Sequence, residues 1–393
     1  MKKIILIVLF FALLITIPSN QEVFADSNSS NQELSQSIED ILGQISFDDY
    51  EKLMDCLSED QKIIFEGDSF LVRVKKLING EYELSLNSVL NVIFGQVVSV
   101  MKNILPVLCF IAVIAIVANL LLQSKSSNAS KSVGDIIHFA LFSMVVVTLF
   151  QIITSLITIS TNAVSNIKNQ MEVTFPILLT LMASVGSSVS VGVFRPLVAV
   201  LSGGLVSFFQ GIILPLFIFS IAFNVVGNLS SDVKLNKFCS LFNSLFKTLI
   251  GFVFTLFGAF LTIQGISAGS YDGISFKTAK FAIKSSVPFL GSYLSDGLNL
   301  IITSSTLVKN AVGVVGLLLL LSTIIQPIIY IIIVKIGLNV LSSVIQPLAD
   351  KKFSDFADGV AKSLNMLLAT LIGISFAYLL TIGLIMCCSN LLF

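Results

Sequence analysis

Lys335 has the clearest claim to chemistry in this sequence. It stands in Ile331-Ile-Ile-Val-Lys-Ile-Gly-Leu-Asn339, deep in an apolar run. A charged side chain inside a bilayer is costly and marks a candidate functional position. Such a lysine must snorkel, line a wet cavity or pair with a carboxylate. No Asp or Glu falls within any expected span, so the carboxylate partner is missing. The acidic relays of a proton- or sodium-coupled pump are missing with it. Gln326 and Asn339 join Lys335 as candidate polar intramembrane residues. Gln151, Gln210, Asn224 and Gln264 read as hydrogen-bonding glue between helices. His138, next to Asp135 at the start of a span, reads as a snorkelling interfacial side chain. The five cysteines are Cys56, Cys109, Cys239, Cys387 and Cys388, with no CxxC among them. A zinc site draws on several Cys or His ligands, and one histidine with scattered cysteines does not supply them. No GxxxxGK[ST] or HExxH occurs. The chain is therefore read as non-enzymatic, with no metal and no cofactor.

The elements that must position these residues are membrane helices. The chain has 393 residues, 55% hydrophobic and 12% charged, with mean hydropathy +0.96. Soluble domains are about 25% charged. The fold class is an all-α polytopic membrane protein. A formal net charge of zero and the lack of a basic domain exclude nucleic acid as a partner.

Lys2 and Lys3 precede the apolar run Ile4 to Ile17, followed by Val23-Phe-Ala25. This pattern predicts a signal peptide over residues 1–25. Residues 26–103 are expected to form a small extracytoplasmic helical region. Its stripes are Leu34, Ile38, Ile41, Leu42 and Ile45, then Tyr50, Leu53, Met54 and Leu57, then Leu86 to Met101. Ser46 with Asp49 resembles a capping box. So small a region needs the membrane or a partner to bury its apolar faces.

Spans follow, each near the ~20 residues that a bilayer core requires. Residues 104–268 read as a first membrane block of about five spans: Ile104–Leu122, Ile136–Ile159, Thr174–Val193, Leu197–Val226 and Leu245–Ser267. Arg195-Pro196 is read as the break between the third and fourth. Residues 308–393 read as a second block of two or three spans, divided at Gln326-Pro327. The count is eight if 308–348 is a tight hairpin and seven otherwise. With eight, the cytoplasmic loops hold Lys125, Lys131, Arg195, Lys277, Lys280, Lys284, Lys309, Lys351, Lys352 and Lys362. The outer loops hold Lys168, Lys234, Lys237 and Lys247. That bias follows the positive-inside rule.

Between the blocks, residues 269–307 are too polar to cross. Phe276, Ala279, Ile283 and Val287 step at helical spacing, and Lys277, Lys280 and Lys284 do so on another face. This reads as a basic amphipathic helix on the cytoplasmic membrane surface, ended by Pro288, with a second helix over Tyr293–Ile302. Phe276, Lys277, Lys280, Ile283 and Lys284 are the candidate interaction residues. They form either plain surface helices or a docking element between the two blocks.

The block Thr278-Ala-Lys-Phe-Ala282, Val287-Pro288, Asp296 and Leu307-Val-Lys-Asn-Ala-Val-Gly313 resembles the stage III sporulation protein AE family of endospore-forming bacteria. Gln264-Gly265 and Gln346-Pro-Leu348 add to the resemblance. These motifs carry no chemistry of their own. The resemblance implies a multi-pass protein of the mother-cell membrane around the forespore. It implies membership of a secretion-like channel complex linking the two cells. The implied partners are other products of the stage III sporulation operon and a forespore-side protein. The competing reading is a stand-alone small-solute transporter, suggested by Lys335 and by the proline-broken 308–348 run.

Overall fold

A computed structural model describes residues 28–65, 67–81, 86–123, 131–229, 236–286 and 291–390. The expected signal peptide lies outside the described residues. Among the described residues there are helices and no strands. Four short ones come first: α1 (Asn28–Gln44), α2 (Asp48–Asp55), α3 (Glu59–Lys62) and α4 (Phe70–Ile78). Six long ones follow: α5 (Leu86–Gln123), α6 (Lys131–Ser184), α7 (Ser188–Leu229), α8 (Asn236–Ser286), α9 (Gly291–Ile345) and α10 (Lys351–Asn390). Each of these six contains a stretch long and apolar enough to cross a membrane.

Among the described residues six such helices stand against seven or eight expected spans, and proline does not divide them. Pro106, Pro176, Pro196 and Pro327 all lie inside helices. In membrane helices, neighbouring elements re-satisfy the carbonyl that proline frees. The 308–348 run is therefore one helix, not a hairpin. Leu86–Met101 and the first span likewise merge into α5. The break after α6 falls at Gly186, whose φ is +87°. There Ser187 N donates to Met182 O at 3.1 Å and Gly186 N to Ala183 O at 2.9 Å. This is the Schellman pattern, in which the left-handed residue after a helix favours glycine.

Helix α9 is the axis of the bundle. Its most apolar window is 72% buried, against 11% for α8. It runs antiparallel to α10, tied at both ends. Lys309 Nζ donates to Ile385 O and Met386 O at 3.1 and 2.9 Å, and Ser342 and Ser354 share a 2.9 Å hydroxyl contact near the turn. On α6, Gln170 Nε2 donates to Thr323 Oγ1 of α9 at 2.5 Å. Helix α5 runs parallel to α9, with Leu108 packed where a Cβ on Gly337 would stand.

The short helices form their own cluster and dock on the bundle. Tyr50 and Phe70 stack with ring centroids 3.7 Å apart. Arg73, 2% exposed, reaches Asp68 at 3.1 Å and Phe65 O at 2.9 Å. The capping box lies at Ser58–Gln61, where Ser58 N donates to Gln61 Oε1 at 2.8 Å. It does not lie at Ser46–Asp49: Ser46 Oγ instead donates to Asp48. Helices α1 and α4 pack on α9, and α2 packs on α6.

This docking fixes the ends of the bundle. Tyr50 sits by Thr174 and Tyr378, late in α6 and α10. Val185 and Ile302 bury each other at the same end. The opposite end carries the α5–α6, α7–α8 and α9–α10 connections. Residues 269–307, expected to form a cytoplasmic pair of helices, comprise the end of α8 and the start of α9, and Ile302 of α9 lies at the end marked by Val185.

Candidate functional site

The polar side chains inside the bundle are the candidate site. Lys335 is half-buried. Its Nζ donates to Asn365 Oδ1 on α10 at 2.8 Å. Asn365 is held in turn, its Nδ2 donating to Lys362 O at 2.8 Å. Asn339 lies one turn beyond Lys335 and is exposed. Gln326 is nine residues before Lys335, which places it on the opposite face of α9 at 100° per residue. The three candidate intramembrane residues therefore do not converge.

Several further buried polar groups tie the helices together; Asn224 is expected from the sequence, and the others are not. Lys309, counted there as a loop charge, is fully buried. It binds the last carbonyls of α10, groups that a helix end leaves without intrahelical partners. Tyr378 OH donates to Thr174 Oγ1 at 2.9 Å, and the Tyr50 ring lies beside them. Burial, and after it the neighbouring Tyr378, raises the Tyr50 phenol well above its ordinary value of 10.0, while Thr174 acts the other way. Asn224 Nδ2 donates to Phe356 O at 2.9 Å, and Asn228 Nδ2 donates to Asn224 Oδ1 at 2.9 Å. The signal that could have found Gln170 and Thr174 was their place in one apolar helix, Lys131–Ser184, which two short expected spans divide.

His138 does not snorkel. It is 7% exposed, its ring stacked on Phe142 at 5.7 Å and edge-on to Phe353 at 5.5 Å. Cys56, Cys109 and Cys387 are exposed and unpaired, and Cys388 is buried. Among the described residues, no three His, Cys, Asp or Glu side chains converge as a metal would need. The positions Phe276, Lys277, Lys280, Ile283 and Lys284 lie on the last turns of α8, and their side chains lie outside the described residues, as does Pro288.

The arrangement ties helices together and couples the docked short helices to the bundle. The contacts described bring no nucleophile to a base. Compared with known proteins, residues 69–389 match the family model for stage III sporulation protein AE. A curated relative, stage III sporulation protein AE of Bacillus subtilis (strain 168), is 26% identical over 321 residues. The match covers 80% of this chain and 79% of the relative. No solved structure matches.

Proposed function

The chain belongs to the stage III sporulation protein AE family, and from that premise we propose that it is a membrane subunit of a channel complex between mother cell and forespore. The family supports a role in sporulation, and the apolar helices support a multi-pass membrane protein. In this reading the chain sits in the mother-cell membrane after losing residues 1–25. It acts without catalysis, as scaffold or pore component. Its partners are other stage III sporulation operon products and a forespore-side protein.

The observation that carries the reading is the docking of α1–α4 on one end of the bundle through Tyr50. A body built this way presents a folded surface on one side of a membrane and anchors it rigidly within. The start of α9 shares that end, and in this reading the last turns of α8 offer a second contact surface. The transporter reading rests on Lys335 and on a proline-broken helix over 308–348, and the continuous α9 weakens the second ground.

The test is recovery of the complex from sporulating cells. Tagged full-length chain, solubilised in mild detergent, is expected to bring down the operon's other membrane products and a forespore-side partner. A chain recovered alone, and able alone to move a solute across vesicles, would overturn the reading.

A further inference from the structure

The outer face of α6 changes character part-way along. Nearest the α5–α6 connection it exposes Ile136, Phe139, Val147 and Phe150, each more than half exposed. Beyond Phe150 the exposed positions include Gln151, Thr154, Ser155, Thr158, Asn162 and Asn169. Steps of three and four keep them on one side of a helix. From Gln151 to Asn169 the stripe rises about 27 Å at ~1.5 Å per residue.

The neighbouring helix sets the depth of this stripe. Gln170 is level with Thr323 through their hydrogen bond, and Leu108 is level with Gly337. Helix α5 runs parallel to α9, so Phe94 stands level with Thr323 and hence with Asn169. By the same register Leu105 stands level with Thr158. Phe94 is 70% exposed and Leu105 56%. At one depth, then, α5 shows the outside large apolar side chains while α6 shows amides and hydroxyls. Lipid explains the first and not the second, because polar groups in the hydrocarbon region must be satisfied. Thr154 and Ser155 donate back to Phe150 O and Gln151 O at 2.9 and 3.1 Å. The amides of Gln151, Asn162 and Asn169 form no hydrogen bond with the described residues. Helix α7, packed on α6, adds exposed Gly203, Ser207 and Gln210, within or beside its π turns at Val200–Leu205 and Phe209–Ile213.

We propose that the α6 stripe lines a water-filled path across the membrane, closed by further copies of this chain whose α6 stripes face the same axis. The inference rests on the channel-subunit reading above and names its lining. The occupant is a second copy because the stripe complements itself. Each amide both donates and accepts, and no residue of the stripe carries charge. A closed ring of identical subunits turns one polar flank per bundle into a complete wall. Thr154 and Ser155 spend their protons on their own helix, and Ser155 also meets Tyr330 of α9. The path therefore suits small hydrated solutes and imposes no strong selection by charge. The Lys168–Glu172 pair, 3.5 Å apart, stands beside its end nearest Tyr50.

The test uses the full chain in vesicles, with native cysteines replaced and single cysteines at Thr158 or Asn162. Leu105 and Phe94 serve as depth-matched controls. The probe is a small charged methanethiosulfonate. The expected result is reaction at the stripe roughly tenfold or more faster than at the controls, since a thiol in hydrocarbon is shielded from charged reagents. The Asn162→Cys copies are also expected to join through a short bis-maleimide. Equal reaction at stripe and controls overturns the proposal, as does an unreactive stripe or the absence of a cross-link between copies. The same variants are assayed for partner recovery. Partners retained with an unreactive stripe contradict the path alone, whereas partners absent from the unmodified chain contradict the channel-subunit reading.

Discussion

Lys335 Nζ lies 2.8 Å from Asn365 Oδ1, so an amide on α10 holds a lysine of the most buried helix of the bundle. A neutral acceptor costs less to desolvate than a carboxylate and leaves the pair with a positive charge. Replacing Asn365 with Leu removes this partner, and a lost hydrogen bond to a charged group costs about 1.5–3 kcal/mol. Thermal unfolding in detergent is expected to show that loss for Asn365→Leu. The double variant Lys335→Met/Asn365→Leu is expected to recover most of it. Equal stability of single and double variants would show that the pair is not coupled.

Gly359 is open only because it is glycine. A Cβ there would overlap the amide of Asn224, which is held by Phe356 O. Gly359→Ala is expected to destabilise by about 1–3 kcal/mol, the usual range for overpacking. Adding Asn224→Ala should relieve part of the cost. Melting temperatures of the two variants check this.

Tyr50 makes docking of the short helices sensitive to alkali. Its phenol is raised by burial, so the folded state holds the neutral form. Stability from this group is fully present below the ordinary value of 10.0 and is lost as pH rises above it. Limited proteolysis is expected to release α1–α4 faster above that pH. Tyr50→Phe should blunt the dependence while keeping the packing. Tyr50→Ala should weaken docking at all pH values, by about 3–5 kcal/mol if it behaves like other large aromatic truncations.

The basic turns of α8 offer a separate test. Lys277→Glu, Lys280→Glu and Lys284→Glu together reverse the charge of the last turns of α8. Partner recovery and spore yield are expected to fall. Unchanged recovery with normal sporulation would remove this segment from the interface.

The sequence made the helical class and the apolar body legible, because composition and periodicity report burial directly. It misplaced the divisions. Proline was read as a break at Pro196 and Pro327, yet both lie inside helices, where packed neighbours offset the lost hydrogen bond. The true break at Gly186 was written in Val185-Gly186-Ser187, a glycine placed to end a helix left-handed. Counting Lys309 as a loop charge followed from the same error. Once α9 is continuous, that lysine falls inside the bundle against the end of α10. The opposed faces of Gln326 and Lys335 were legible from helical spacing, as soon as the segment between them was known to be one helix.

The most direct measurement is the sidedness of four single cysteines, at Ser35, Ser275, Asp355 and Asn390, in a chain otherwise free of cysteine. They are probed in sporulating cells with an impermeant maleimide, before and after the mother-cell membrane is permeabilised for the reagent. The bundle described here places positions 35, 275 and 390 at one end and 355 at the other. The predicted result is that the first three label together, in one condition, and 355 labels in the opposite one. Labelling of 275 together with 355, apart from 35, would contradict the arrangement and return the α8–α9 connection to the far side of the membrane.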